Sequence, residues 1–274
     1  MTTAALATPL PMSVIVSDPP WVDTDAPTPV SVICPVYNNI ELTMDFVFNM
    51  MRLVKPPNEL IVVANGCTDA TLPFLVQMQR AGHNVKPVLS PTNRGFAGGN
   101  NLGAREASNP IHIFTSNDVR ADGDFITPVV ECLARNPHAL VGRRLLSHDT
   151  GWNTYTTGRG IYLIGFQLES GVKLTIPYLE GWFIAVDSRY CHKNKPANKE
   201  QIGGLWDERY YPSDVEDLDI SMQAQVNNHL LIQLNLPVVH ERTGQTANKM
   251  PGGRLTTTLR NQRLFMEKWG LVLP

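Results

Sequence analysis

The chain has 274 residues, enough for one α/β domain of roughly 200–250 residues with a tail. With 43% hydrophobic and 18% charged residues it has the composition of a folded domain rather than a disordered polymer. A net charge of -2 provides no electrostatic footprint for nucleic acid or an anionic membrane surface, and no apolar run approaches the roughly 18 residues needed to span a bilayer. Residues 1–28, rich in Pro, Thr and Ala, read as a flexible tail or an added edge segment. They lack a basic n-region, and prolines interrupt their apolar stretch, so they make a poor signal peptide. Cys34, Cys67, Cys132 and Cys191 form no CxxC pair and read as free thiols of a reducing compartment. A cytoplasmic location is expected.

From Val30 onward short apolar runs alternate with helical patterns. Val30–Cys34 is a continuous apolar run suited to a buried strand. Ile40–Val54 has apolar residues at helical spacing and is stopped by Pro56 and Pro57. Leu60–Ala64 reads as a second strand, followed by the turn signal Asn65-Gly66. Thr68–Arg80 reads as a helix, Val85–Leu89 as a strand, Ala97–Ala107 as a helix and Ile111–Phe114 as a strand. This alternation predicts a single α/β domain over residues 29–274, a mainly parallel sheet flanked by helices. Ligands of such sheets bind at the carboxyl ends of the strands. The second half is less regular. Thr150–Gly160 suits a binding loop, Gly181–Val186 a strand, Val215–Asn228 a helix capped by Ser213 or Asp214, and Lys193–Glu200 a mobile solvated loop. Leu230–Leu234 and Val238–Val239 read as closing strands.

The chemistry-bearing residues fall just after the apolar runs. Pro35-Val36-Tyr37-Asn38 ends the first strand, where backbone amides and small polar groups can hold a base or ribose. Asn65-Gly66-Cys67-Thr68-Asp69 follows the second strand; its glycine permits a positive φ, and its polar residues can bond a ligand or cap the next helix. Asn93–Gly103 is a Gly-rich entry to a helix, a form that lets backbone approach a diphosphate, with Asn93, Arg94 and Asn100 adding polar reach. Ser116-Asn117-Asp118 places a carboxylate at a strand end, where it can share Mg²⁺ or Mn²⁺ with a phosphate. Glu216, Asp217 and Asp219 open a helix whose dipole should keep their pKa low, and an ionised carboxylate in a cleft can act as general base. His240 follows the last strand and suits a metal or a diphosphate oxygen. Taken singly, each motif has an ordinary explanation: a proline turn, a helix cap, an Asx turn, acids in a first helical turn, a structural histidine.

Taken in order, the segments SVICPVYN (31–38), ELIVVANGCTD (59–69), NRGFAGGNNLG (93–103), TSNDV (115–119), GLWDERYY (204–211), EDLD (216–219), His240 and NQRLFMEKWG (261–270) resemble the inverting GT-A glycosyltransferases of family two, especially the rhamnosyltransferase-like branch. The resemblance covers about residues 30 to 270 and implies a donor nucleotide sugar, Mn²⁺ or Mg²⁺, and a glycan or other hydroxyl acceptor. It implies that Pro35, Tyr37, Asn38, Asn65, Asn93, Gly95, Asn100 and Asn117 face the nucleotide, in a donor part spanning 29–120. It makes Asp118 and His240 the metal or diphosphate pair and Asp217, with Glu216 beside it, the catalytic base, and it puts acceptor recognition in 121–274. Two positions depart from the family. Ala64 stands where an acid bonds the pyrimidine ring, and Ser116 where the first acid of a DxD motif stands. The competing readings are a non-catalytic nucleotide-sugar-binding protein on the same fold, and a nucleotidyltransferase, which would want a basic Gly-rich loop near the first strand.

Overall fold

A computed structural model of the chain describes residues 14–17, 28–143, 154–156, 162–167, 173–191, 205–241 and 253–271. The first half runs β1 (Val14–Ser17), β2 (Val30–Val36), α1 (Ile40–Met50), β3 (Glu59–Asn65), α2 (Thr71–Arg80), β4 (Lys86–Ser90), α3 (Gly95–Glu106), β5 (Ile111–Thr115), β6 (Val119–Ala121), α4 (Ile126–Arg135) and β7 (Leu140–Arg143). The second half runs β8 (Thr154–Thr156), β9 (Tyr162–Gln167), β10 (Lys173–Tyr178), β11 (Phe183–Asp187), α5 (Ser188–Cys191), α6 (Glu216–Val226), β12 (Leu231–Leu234), β13 (Val238–His240) and α7 (Arg254–Trp269).

The main sheet has eight strands in the order β1-β12-β7-β11-β5-β2-β3-β4. All its neighbours are parallel except β11, which runs antiparallel between β5 and β7. A parallel sheet must be covered on both faces, and the side chains show it. Along β2, Val30, Val32, Cys34 and Val36 enter a core built with Phe46, Leu75 and Val129, whereas Ile33 enters one built with Ala97, Phe114 and Ile220. Thus α1, α2 and α4 cover one face, and α3 and α6 the other. A third cluster, with Tyr210, Leu218 and Phe265, seats α7 against α6. The smaller sheets are the antiparallel set β10-β9-β8 and the pair β13-β6.

Local chemistry sets the element ends. Asn38 and Asn39 take left-handed φ values of 54° and 62°, which turns the chain sharply out of β2. The amides at the starts of both α1 and α2 then donate to one carboxylate, Asp69: Ile40 N–H to Oδ2 at 3.1 Å and Thr71 N–H to Oδ1 at 3.0 Å. Thr68 N–H donates to Asn38 Oδ1 and the Asp69 carboxylate takes the Thr71 amide, so α2 begins at Thr71 rather than Thr68. Helix α6 starts at Glu216 after Val215, and no side chain caps it; Asp214 instead bonds Arg254 and Thr258 on α7, so neither Ser213 nor Asp214 is the expected cap. Val14–Ser17, inside the expected tail, forms the edge strand β1 paired with β12. The expected strand Gly181–Val186 begins at Phe183, because 181–182 are in a turn. The expected loop Lys193–Glu200 lies outside the described residues, as does Thr150–Gly160 apart from β8.

Candidate active site

The predicted site residues fall at the carboxyl ends of β2, β3, β5 and β13, in α3 and the loop before it, and at the start of α6. The loop chemistry is mostly internal. Asn38 Oδ1 accepts from Thr68 N–H at 2.8 Å, which joins the loop after β2 to the loop after β3. Asn65 accepts from Arg94 N–H at 2.9 Å and donates to the Gly95 carbonyl at 3.0 Å and to Asn93 Oδ1 at 3.2 Å. Asn93 Oδ1 also accepts from Gly95 N–H at 2.8 Å. Asn38, Asn65 and Asn93 therefore build the floor of the loops. Tyr37 presents its ring to solvent at 45% exposure beside that floor.

The glycines of α3 admit protein, which corrects the expectation of a backbone surface open to a diphosphate. A Cβ on Gly99 would lie 2.5 Å from Pro35 Cβ, and one on Gly103 would lie 2.5 Å from Ile33 Cγ2. Gly95, at φ 70°, would meet the Pro212 carbonyl oxygen at 2.6 Å. Arg94 is turned to Glu208 at 2.8 Å. Asn101, which the sequence did not single out, accepts from Trp206 N–H and donates to the Trp206 carbonyl, tying 205–208 to α3. Asn100 is fully buried, and neither amide atom has a hydrogen-bond partner among the described residues.

Asp118 and His240 come together as expected, with His240 Nε2 3.2 Å from Asp118 Oδ1. Strand β13 brings His240 opposite Val119 of β6, and Glu241 N–H donates to the Asp118 carbonyl at 2.7 Å. Burial pushes the Asp118 carboxyl upward, but the His240 contact and the Ser116 hydroxyl outweigh it and hold the group below its ordinary value. Ser116, the departure from the acidic pattern, is thus a donor to the acid that remains. Asn117 donates to Thr43 of α1 at 3.3 Å. Among the described residues no group of three or more His, Cys, Asp and Glu gathers as a metal shell. One carboxylate and one imidazole nevertheless fit a divalent cation that takes its remaining oxygens from a diphosphate and water.

The two acids at the start of α6 separate by environment. Asp217 is half-buried; its Oδ2 accepts from Gly181 N–H at 3.1 Å and its Oδ1 from Leu218 N–H at 2.8 Å. Burial raises its pKa to about 6, with Glu180 adding to the shift and the two amides opposing it. The expectation of a low pKa from the helix dipole fails because loss of hydration outweighs the dipole. Glu216 is buried, one of its carboxyl oxygens lacks a partner among the described residues, and burial with the Asp217 charge pushes its pKa well above the ordinary value. Asp219 is fully buried and consumed by Lys268, Tyr210, Trp269 and Gln223.

The two halves meet at the turn Glu180-Gly181-Trp182. Gly181 holds Asp217, and the Trp182 indole lies on the His240 ring, with centroids 5.1 Å apart and planes at 10°. Sequence reasoning missed this turn: a Gly-Trp pair before an apolar strand has no periodic signature. Cys34, Cys67 and Cys132 are free thiols, and burial raises the pKa of each.

A mainly parallel α/β sheet with an acid and a histidine at its carboxyl edge, and one antiparallel strand beside them, is the architecture of a GT-A domain. Residues 31–193, more than half of the chain, match the profile described as Glycosyl transferase family 2, and the chain belongs to that family. Two poly-beta-1,6-N-acetyl-D-glucosamine synthases of Staphylococcus epidermidis are each 27% identical over 108 residues, which is 39% of this chain and 26% of theirs. The match thus spans about a quarter of the length of these curated relatives. Among solved structures, S. aureus TarS 1-349 in complex with UDP superposes with a TM-score of 0.53 at 17% identity, covering 75% of this chain and 57% of that one. GalNAc-T7 with UDP, GalNAc and Mn²⁺ gives 0.60 at 11% identity over 87% and 48% of the two chains. The mannosyltransferase PcManGT from Pyrobaculum calidifontis in complex with GDP-Man and Mn²⁺ gives 0.54 at 19% identity over 78% and 58%. At these identities the likeness is one of fold.

Proposed function

We propose that the chain is an inverting glycosyltransferase that moves a sugar from a nucleoside-diphosphate donor to a hydroxyl of a glycan or similar acceptor, of the rhamnosyltransferase-like branch. One observation carries the reading: a carboxylate fixed by two amides, with a pKa of about 6, is joined through a single turn to the Asp118–His240 pair. A base poised near neutral pH beside a site for diphosphate charge is what a single displacement requires.

In that displacement Asp217 accepts the proton of the acceptor hydroxyl. The hydroxyl oxygen attacks the anomeric carbon from the face opposite the diphosphate, the bond to the diphosphate oxygen breaks, and the configuration inverts. Asp118 and His240 would hold Mn²⁺ or Mg²⁺, which when bound neutralises charge on the leaving diphosphate. Glu216, held toward its protonated form, leaves Asp217 as the basic member of the pair. The exposed Tyr37 ring offers a face for the donor base, and Ala64 offers no carboxylate to a pyrimidine N–H. The neighbours solved with UDP and with GDP-Man show that this fold serves more than one base.

The deciding experiment is Asp217→Asn. The variant keeps the shape and loses the charge, so donor binding measured by calorimetry should persist while transfer falls by about 10²–10⁴-fold. Transfer at the unaltered rate would refute Asp217 as base. Donor binding with no transfer to any acceptor in the unaltered protein would favour a binding module.

A further inference from the structure

The turn at 180–182 lies well before helix α6 and strand β13 in the chain, yet its three residues touch a functional side chain on each. Gly181 N–H donates to Asp217 Oδ2 at 3.1 Å. The next residue, Trp182, is 8% exposed and stacks on His240 at 5.1 Å and 10°, and its Nε1–H is held by the Glu180 carboxylate. Besides the Nε2 contact with Asp118 at 3.2 Å, His240 has little else among the described residues to fix its plane. Its Nδ1 is buried with no hydrogen-bond partner among the described residues, and its strand has three residues paired only with the three of β6. A metal-binding histidine is ordinarily oriented by a hydrogen bond to its second ring nitrogen. Among the described residues that bond is absent, and the flat indole face lies against the ring.

We propose that Trp182 is a positioning residue. Its ring sets the plane of His240 so that Nε2 faces the Asp118 carboxylate and a diphosphate-bound divalent cation. Through the shared turn, it also fixes the spacing between that cation and the Asp217 base. The inference rests on the reading of Asp118 and His240 as the cation pair. A branched aliphatic side chain at 182 would fill the space without defining a plane, whereas another aromatic ring would retain one.

The test measures Mn²⁺ affinity from the paramagnetic resonance signal of free Mn²⁺. The full chain is held with whichever of UDP, dTDP, GDP or CDP binds best. Trp182→Leu should weaken Mn²⁺ binding by about 10–100-fold, as loss of an outer-shell partner does, and Trp182→Phe should restore most of it. His240→Ala is the reference for loss of the ligand itself. If His240→Ala loses Mn²⁺ and Trp182→Leu does not, the role of Trp182 is refuted and the cation pair stands. If neither variant alters Mn²⁺ affinity, the cation pair falls and the inference falls with it. Should the leucine variant not fold, proton spectra of the unaltered protein decide. The His240 ring protons should lie upfield under the indole face and move when Mg²⁺ and the nucleotide are added. His240 signals at unshifted positions would overturn the stack.

Discussion

Asp217 and Glu216 are neighbours in sequence, and both are pushed toward protonation, but only Asp217 keeps solvent access and two amide donors. Transfer should therefore fall as pH drops through about 6, a limb that a pH–rate profile of kcat would show and that Asp217→Asn would abolish. The same shift has a stability consequence of known sign. The folded pKa exceeds the ordinary 3.8, so the native state holds the proton more tightly, and stability is lost as pH rises from 3.8 to about 6. Asp217→Asn should thus stabilise the protein at neutral pH by about 1–3 kcal/mol, seen as a raised Tm at pH 7 that vanishes near pH 4. A helix-dipole role would give the opposite sign. The sequence showed which acids open α6, but it could not show their pKa, because burial comes from distant segments such as Gly181. A second residue-scale expectation concerns Ala64, fully buried at the end of β3. An absent hydrogen bond from a charged group is worth about 1.5–3 kcal/mol, so calorimetric titration of UDP, dTDP, GDP and CDP should show loose or shifted base discrimination. Strong, exclusive binding of UDP would contradict it.

Elements hold the site through two kinds of contact, close packing and buried charge. Helix α3 touches the sheet through Gly99, where a methyl would sit 2.5 Å from Pro35 Cβ and 3.1 Å from Asn65 Nδ2. Gly99→Ala should cost about 1–3 kcal/mol in urea unfolding and weaken nucleotide binding by displacing those strand ends. Helix α7 is joined to α6 by Lys268, which lies 2.9 Å from Asp207 and 2.7 Å from Asp219, while Arg209 also pairs with Asp207. Burial acts against ionised Asp207, yet Arg209 and Lys268 hold its carboxyl well below the ordinary value. Lys268→Met leaves two buried acids short of a partner, and denaturation at neutral pH should reveal a loss of about 3–5 kcal/mol. That loss should shrink as pH falls through the carboxylate range, since protonated acids no longer need the cation. At this scale the first half of the fold was legible, because β2, β3 and β5 are continuous apolar runs and α1, α2 and α3 keep helical spacing. The second half was legible in part: α6, β12 and β13 fall within two residues of the expected Val215–Asn228, Leu230–Leu234 and Val238–Val239. No strand was expected at β6, β9 or β10, β11 runs against its neighbours, and Asp219 looked like a candidate base until α7 supplied Lys268.

Across the whole molecule, the sheet sorts the chemistry into two sets of contacts that should be separable. Asp118 follows β5, His240 follows β12 by way of β13, and Asp217 enters from α6 on the face covered by α3. The Asp118 set touches β6 and β13, and the Asp217 set touches the 180–182 turn, so Trp182 and Gly181 are the described link between them. If the first set holds the diphosphate with a cation, EDTA should abolish transfer, and Asp118→Ala should weaken nucleoside-diphosphate binding while the melting temperature stays close to that of the unaltered protein. Asp217→Asn should do the reverse, keeping binding and losing transfer. Combining the two substitutions then tests the architecture. For donor binding their effects should add within about 0.3–0.5 kcal/mol, as for independent sites, because only Asp118 contributes to it. For transfer they should not add, since a displacement already lacking its base loses less when the leaving group is also unsupported. Full activity in EDTA would remove the cation from the scheme, and a binding defect in Asp217→Asn equal to that of Asp118→Ala would mean that the two sets form one site rather than two.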